Sequence, residues 1–214
     1  MEKKERVKFL SMEIIAEKNV AVPLLATLLR QGKTLAYPTE TCYGLGCDAT
    51  NTAAVGRVFE IKKRQKDKPV LVIFSSVEMA MAYVPWSPLL EKIADRYWPG
   101  PLTVVVPMAE HALLAPGVVG RDHTIAFRIS GYDFVRDVVE ELKAPLVSTS
   151  ANIASLESPY DIEGVISMFS REAEQPDIII DAGPLPHHNP STIVRIDEGK
   201  IQVLRQGEVH FDYF

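Results

Sequence analysis

Long apolar runs are missing from this 214-residue chain: no stretch approaches the roughly 20 residues that span a bilayer. The opening, MEKKERVKFLSMEII, mixes charges with an apolar stretch too short and interrupted for a signal peptide. Cysteine is scarce. Cys42 and Cys47 make no zinc-type pair of pairs and no histidine spacing completes one, so they read as two free thiols in a reducing compartment. The expected location is cytoplasmic, with no membrane partner. Also absent are a GxxxxGKS/T P-loop and the HExxH, GxSxG and kinase signatures. Any nucleotide phosphate must therefore be held by another device, without a nucleophile triad. Gly44 and Gly46 gain no third glycine and no βαβ frame, which excludes a dinucleotide fingerprint. Net positive charge is lacking too: the formal charge is -5, so a local cluster of cations carries more information than it would in a basic protein.

What is present suits one large domain able to bury its core without staples. Residues 21–31 (AVPLLATLLRQ) carry apolar side chains at helical spacing and stop at Gly32, a favoured residue after a helix end. A strand over 33–37 closes at Pro38. The pattern then predicts a helix over 52–63. Its Val55, Val58, Phe59 and Lys62 stand at i, i+3, i+4 and i+7, so the apolar face turns polar at its end. Residues 69–74 (PVLVIF) read as a strand covered on both faces. Helices are expected at 77–83, 88–97, 132–142 and 161–169. Strands are expected at 103–106, 124–129, 146–149, 177–180, 191–196 and 201–204, the last two turned at Glu198-Gly199. Several strands follow one another with no helix between. That favours a mixed α+β (mixed α/β) fold, a parallel/antiparallel sheet with helices on its faces, in a single domain over 1–214.

Three segments could carry chemistry. YPTETCYGLG, residues 37–46, sets Thr39, Glu40 and Thr41 after a strand, where ligands often sit; the residue types fit a plain turn equally well. KKRQKDK, residues 62–68, has five cations and one acid. Cations complement a helix C-terminus, worth about 0.3–1 kcal/mol each, but five exceed what a cap requires and point to an anion site. PLVSTSANIASLESP, residues 145–159, runs from a strand end into Ser148, Thr149, Ser150 and Asn152. Such donors serve either as a helix N-cap or as a phosphate cradle, and their density after a buried strand favours the cradle. Arg128, inside HTIAFRIS, alternates with Phe127, which by itself puts it on a solvent face. Arg205 and Ser191-Thr192 are strand ends that could face water or a pocket. His187-His188 in PLPHHNP reads as loop surface, and Trp98 in WPGPLT as structural.

Taken in order, these segments resemble the YrdC-like family. The matching pieces are YPTET and YGLG, Lys62-x-Arg64 with Lys68-Pro69, and WPGPLT. Next come Thr124 to Arg128 as T-x-A-x-R, STSAN, and PSTIV with R-x-G at Arg205, so the likeness covers about residues 19–207. The resemblance implies a twisted mixed sheet around a concave, positively lined cavity, YrdC/RibB-like. It implies a threonylcarbamoyl-AMP synthase, a nucleotidyltransferase forming L-threonylcarbamoyladenylate and pyrophosphate from L-threonine, bicarbonate and ATP, for threonylcarbamoyl-adenosine modification of tRNA. Thr39 would contact the threonine, Arg128 would pair its carboxylate, and Ser191 would lie nearby. Lys62 and Arg64 would be the catalytic cations and, with Lys66, hold the ATP phosphates. Thr124, Ser148, Ser150, Asn152, Ser158 and Arg205 would line the nucleotide side. Mg2+ would arrive with ATP, bound through phosphate oxygens and waters, with no metal site built by the protein. A downstream tRNA threonylcarbamoyl transferase complex would take the product, and weak binding of tRNA or double-stranded RNA is a further expectation.

The chain departs from the family pattern in places. Asn152-Ile153-Ala154-Ser155 replaces the usual run after STSAN, Ser130 stands where R-x-P has proline, and Ala182-Gly183 replaces Gly-Gly. It ends soon after Arg205, which resembles the short form without the extra C-terminal domain of longer relatives. Two other functions stay open. One is a double-stranded RNA or tRNA-binding module, opposed by the negative charge and the lack of an RRM or KH signature. The other is a carbamoyl-group transferase with another substrate.

Overall fold

The computed structural model describes residues 12–65 and 67–212. Ten strands form one mixed sheet in the order β1-β8-β2-β3-β7-β4-β6-β5-β9-β10. They are β1 (Glu13–Ala16), β2 (Leu35–Tyr37), β3 (Gly44–Gly46), β4 (Leu71–Phe74) and β5 (Leu102–Pro107), then β6 (Thr124–Ile129), β7 (Leu146–Ser150), β8 (Ile178–Asp181), β9 (Thr192–Asp197) and β10 (Lys200–Arg205). β8 runs parallel to β1 and β2, β4 to β6, and β5 to β9; the other neighbours are antiparallel. The helices are α1 (Val22–Arg30), α2 (Thr52–Lys62), α3 (Val77–Met81), α4 (Pro88–Tyr97), α5 (Asp133–Leu142) and α6 (Ile162–Phe169).

Alternation along each strand explains why helices cover both faces. Ile73, Leu146, Ile178 and Ile180 point into one cluster with Leu25 and Leu29 of α1 and Val135, Val138 and Val139 of α5. Their neighbours Val72, Phe74, Val147 and Ile179 point the other way, into a larger core with Val58 and Phe59 of α2, Ile93 of α4 and Phe169 of α6. Helix starts are capped as their sequences require: Asn51, Ser76, Ser87 and Asp161 accept from the backbone three residues on. Gly32 takes φ +89° just after α1, and Trp98 packs on Phe127 while its indole N–H donates to Leu102 O at 2.7 Å.

Two strands differ from expectation. β1 is a four-residue edge strand with half its side chains exposed, too short to announce itself. β3 lies inside YGLG, where glycine-rich composition suggested a turn. Its glycines are there because backbone passes close by: a Cβ on Gly46 would lie 1.8 Å from Val147 O. The YPTET loop is therefore the tip of a β2–β3 hairpin, not a loop leaving the sheet.

Candidate active site

Two adjoining cavities open beside the ends of β2, β3 and β7. The first has a volume of about 270 Å³ and is lined by Thr39, Arg64, Arg128, Ser148, Ser150, Ser158, Ser191 and Arg205, along with Thr41, with His188, which the sequence read as loop surface, and with Tyr160, which the sequence did not single out. The second, about 520 Å³, is walled by Lys62, Lys63, Arg64, Lys68, Ser150 and Asn152. Arg64 and Ser150 belong to both. Segments far apart in sequence thus converge, as the resemblance implied. Lys66 lies outside the described residues. Thr124 lines neither cavity: it begins β6 and its hydroxyl donates to Asp122 Oδ1 at 2.7 Å.

The hairpin tip is shaped by Thr39. Its hydroxyl donates to Cys42 O at 2.7 Å and accepts from the backbone N–H groups of Thr41 and Cys42, both at 3.2 Å. Beside it stands Arg128, and here the alternation argument misplaces the residue. Ala126 and Arg128 do share one face of β6, but that face looks into the first cavity and Arg128 is only 4% exposed. Glu40, named in the YPTET segment but given no role there, supplies its countercharge, with Oε1 at 3.0 Å from Arg128 Nε. Although the atoms are close, the N–H does not point at the oxygen, and both atoms are buried without a hydrogen bond.

Lys62 ends the apolar stripe of α2 and is buried with it, 2% exposed. Its ammonium donates to Ser150 O, to Asn152 O at 2.8 Å and to Asn152 Oδ1 at 3.0 Å, which uses its three protons. These acceptors favour the charged form, but burial and then the Arg64 charge oppose it and push the pKa down to about 7. Ser150 Oγ donates to Asn152 Oδ1 at 2.5 Å, so one carbonyl oxygen gathers both donors. Arg64 closes its own loop through Lys68 O and Pro69 O at 3.0 and 3.1 Å. Burial lowers the pKa of Arg205, which donates to Ser191 O at 2.7 Å and to Ser191 Oγ at 3.1 Å. That hydroxyl in turn meets Thr103 Oγ1 at 2.9 Å.

Chemically, the first cavity offers hydroxyls with a buried, paired guanidinium, and the second offers cations around backbone and amide groups. The pair suits two anionic groups of different size held side by side. Among the described residues no group of three or more His, Cys, Asp or Glu side chains converges as metal ligands do, and no helix is long and apolar enough to cross a membrane.

The Sua5/YciO/YrdC family model, described as "Telomere recombination", matches residues 27–207. A threonylcarbamoyl-AMP synthase of Pyrococcus abyssi (strain GE5 / Orsay) is 35% identical over 87% of this chain, which spans only 54% of that relative. One of Aliivibrio fischeri (strain ATCC 700601 / ES114) is 33% identical over 84% of this chain and 95% of its own length. The crystal structure of P. abyssi Sua5 complexed with L-threonine superposes with a TM-score of 0.80, at 32% identity, over 92% of this chain and 57% of that one. The expected mixed sheet and family both stand, and the chain belongs to the Sua5/YciO/YrdC family.

Proposed function

We propose that this chain is a threonylcarbamoyl-AMP synthase, a nucleotidyltransferase that joins L-threonine, bicarbonate and ATP into L-threonylcarbamoyladenylate and pyrophosphate. One observation carries the reading: the hydroxyl-lined cavity holding Arg128 and the cation-walled cavity meet at Arg64 and Ser150. An amino acid in the first and a triphosphate in the second would therefore bring the nitrogen and the α-phosphorus to one place. The relatives' shared name and the L-threonine complex of P. abyssi Sua5 support the same reading.

The threonine amine, unprotonated, adds to the carbon of carbon dioxide and gives up a proton to solvent, leaving a carbamate; from bicarbonate the same N–C bond forms as a C–O bond breaks and water leaves. A carbamate oxygen then attacks the α-phosphorus as the bond to the β-phosphate oxygen breaks, and pyrophosphate leaves. Neither step needs a protein nucleophile. Holding the reactants in register can remove about 7–11 kcal/mol of barrier, and fixed cations stabilise charge on the departing phosphates. Thr39, Arg128 and Ser191 hold the amino acid, with Arg128 on its carboxylate. Arg64, Lys63 and Lys68 face the phosphates, where Lys66 would join them, and Ser148, Ser158 and Arg205 face the nucleoside; Thr124, which lines neither cavity, is given no part in holding it. Lys62 shapes the Ser150–Asn152 corner and reaches a phosphate only by releasing one of its three acceptors. Mg2+ would arrive with the triphosphate and supply charge neutralisation there, with no cluster of His, Cys, Asp or Glu among the described residues to hold it. The product would serve tRNA modification through a downstream transferase in the cytoplasm.

The test is pyrophosphate release from ATP with each reactant omitted in turn. Release should require both L-threonine and bicarbonate, and Arg64→Ala should lower it. Release that ignores threonine would overturn the reading.

A further inference from the structure

The pair Glu40 and Arg128 poses a question that the reaction itself does not answer. Glu40 does not line the first cavity, whereas Arg128 does. The carboxylate meets the guanidinium at Nε, and Arg128 itself borders the space where a ligand would sit. Glu40 is itself held. Ser130, fully buried, donates its hydroxyl proton to Glu40 Oε2 and accepts from Tyr132 N at 3.2 Å, so the proton's direction is fixed. Arg136 Nη1 fastens Ser130 by donating to its carbonyl oxygen at 2.6 Å. A relay thus runs from α5 through Ser130 and Glu40 to the cavity.

Its last link is incomplete. Arg128 Nε and Glu40 Oε1 are buried at 3.0 Å without an aligned hydrogen bond. Buried polar atoms normally find partners, so an orphaned donor and acceptor facing each other mark a geometry that is finished by something else. A small rotation of the guanidinium plane would align them, and a carboxylate engaging the two terminal nitrogens in fork fashion would impose that rotation.

We infer that Glu40 is the positioning residue of the amino-acid subsite: held by Ser130, it orients Arg128 as a fork for the substrate's carboxylate and becomes hydrogen-bonded to it when that carboxylate binds. Because the countercharge also neutralises Arg128, the larger phosphate charge is left to the cations of the second cavity, and the two anions are sorted.

This rests on the reading of Arg128 as the carboxylate's partner, and the two can fail separately. L-Threonine and ATP affinities are measured for wild type, Arg128→Gln, Glu40→Gln and Ser130→Ala, alongside steady-state kinetics. Glu40→Gln should raise the L-threonine dissociation constant and KM about tenfold or more, leave ATP affinity within about twofold, and change kcat at saturating threonine far less than KM. Ser130→Ala, which keeps the charge but frees Glu40, should shift threonine in the same direction by a smaller factor and decides the matter if Glu40→Gln does not fold. A general loosening of the cavity would weaken ATP as well, and that outcome overturns the inference, as does wild-type threonine affinity in Glu40→Gln when Arg128→Gln loses it. Unchanged threonine affinity in Arg128→Gln would instead remove the functional reading underneath.

Discussion

Lys62, the last residue of α2, donates to Asn152 twice, at 2.8 Å to its backbone oxygen and at 3.0 Å to its side-chain oxygen, across 90 positions of sequence. The contact joins two motifs for which residue composition and resemblance both pointed toward phosphate. It also gives the lysine a structural task before any ligand arrives, since the loop after β7 turns on the carbonyls it gathers.

Lys62→Met keeps the apolar stem and removes the donors. Pyrophosphate release should fall about 100-fold, the scale of losing one preorganised charged donor, and residues 151–158 should become more sensitive to proteolysis. The charge has a second signature. With its folded pKa at about 7, below the ordinary lysine value of about 10.4, the site binds fewer protons folded than unfolded between those values. Its contribution to stability therefore rises as pH climbs through that interval and is constant below it. Thermal melts of wild type and variant should diverge in favour of wild type from about pH 7 to 10; a pH-independent difference would contradict the assignment.

Gly46 and Gly56 make opposite predictions for one substitution. A Cβ on Gly46 would sit 1.8 Å from Val147 O, backbone that cannot yield without breaking the β3–β7 pairing. Gly46→Ala should cost more than about 4 kcal/mol or prevent folding. Gly56 lies inside α2 with nothing within 4 Å of the added carbon, so Gly56→Ala should stabilise by about 0.5–1 kcal/mol. Denaturant titration of both variants checks the pair.

Asp177 ties three elements at the start of β8. It accepts from the Thr34 N–H and hydroxyl at 2.8 Å each, and pairs with Arg57 at 2.7 Å and Lys33 at 3.2 Å. Burial by itself would raise its pKa, but the Thr34 bonds and the two cations outweigh it and hold the carboxyl below its ordinary value. Such a group stabilises the fold above the unfolded pKa of about 3.9 and loses that contribution as pH falls through it toward the lower folded value. Asp177→Asn should cost about 1–3 kcal/mol at neutral pH and flatten the acid limb of stability against pH. An unchanged acid limb would count against this account.

Much of this architecture was legible because apolar spacing reports which side of an element is covered. The stripe Val55, Val58, Phe59, Lys62 already put a lysine at the buried end of α2, and its burial follows from that position. PVLVIF announced β4, and the dense hydroxyls after β7 do border the cavities. What pattern could not show was which face of a doubly covered sheet holds a cavity. Arg128 obeys strict alternation, yet its face is neither solvent nor packed core. The role of Glu40 was hidden for a related reason: its meaning lies in contacts with Arg128 and Ser130 on β6 and just beyond it, which no local spacing encodes. Gly46 hid a strand because the feature that makes it one is a neighbouring backbone, not a side chain of its own.

The central claim is that an amino acid and a triphosphate occupy adjoining chambers at once. Calorimetric titration of L-threonine into the protein, with and without a non-hydrolysable ATP analogue and Mg2+, tests it directly. The account predicts that the analogue tightens threonine binding about tenfold, a coupling of about 1.4 kcal/mol, and that threonine tightens the analogue equally. Equal threonine affinity in both titrations, or no threonine binding in either, would contradict it.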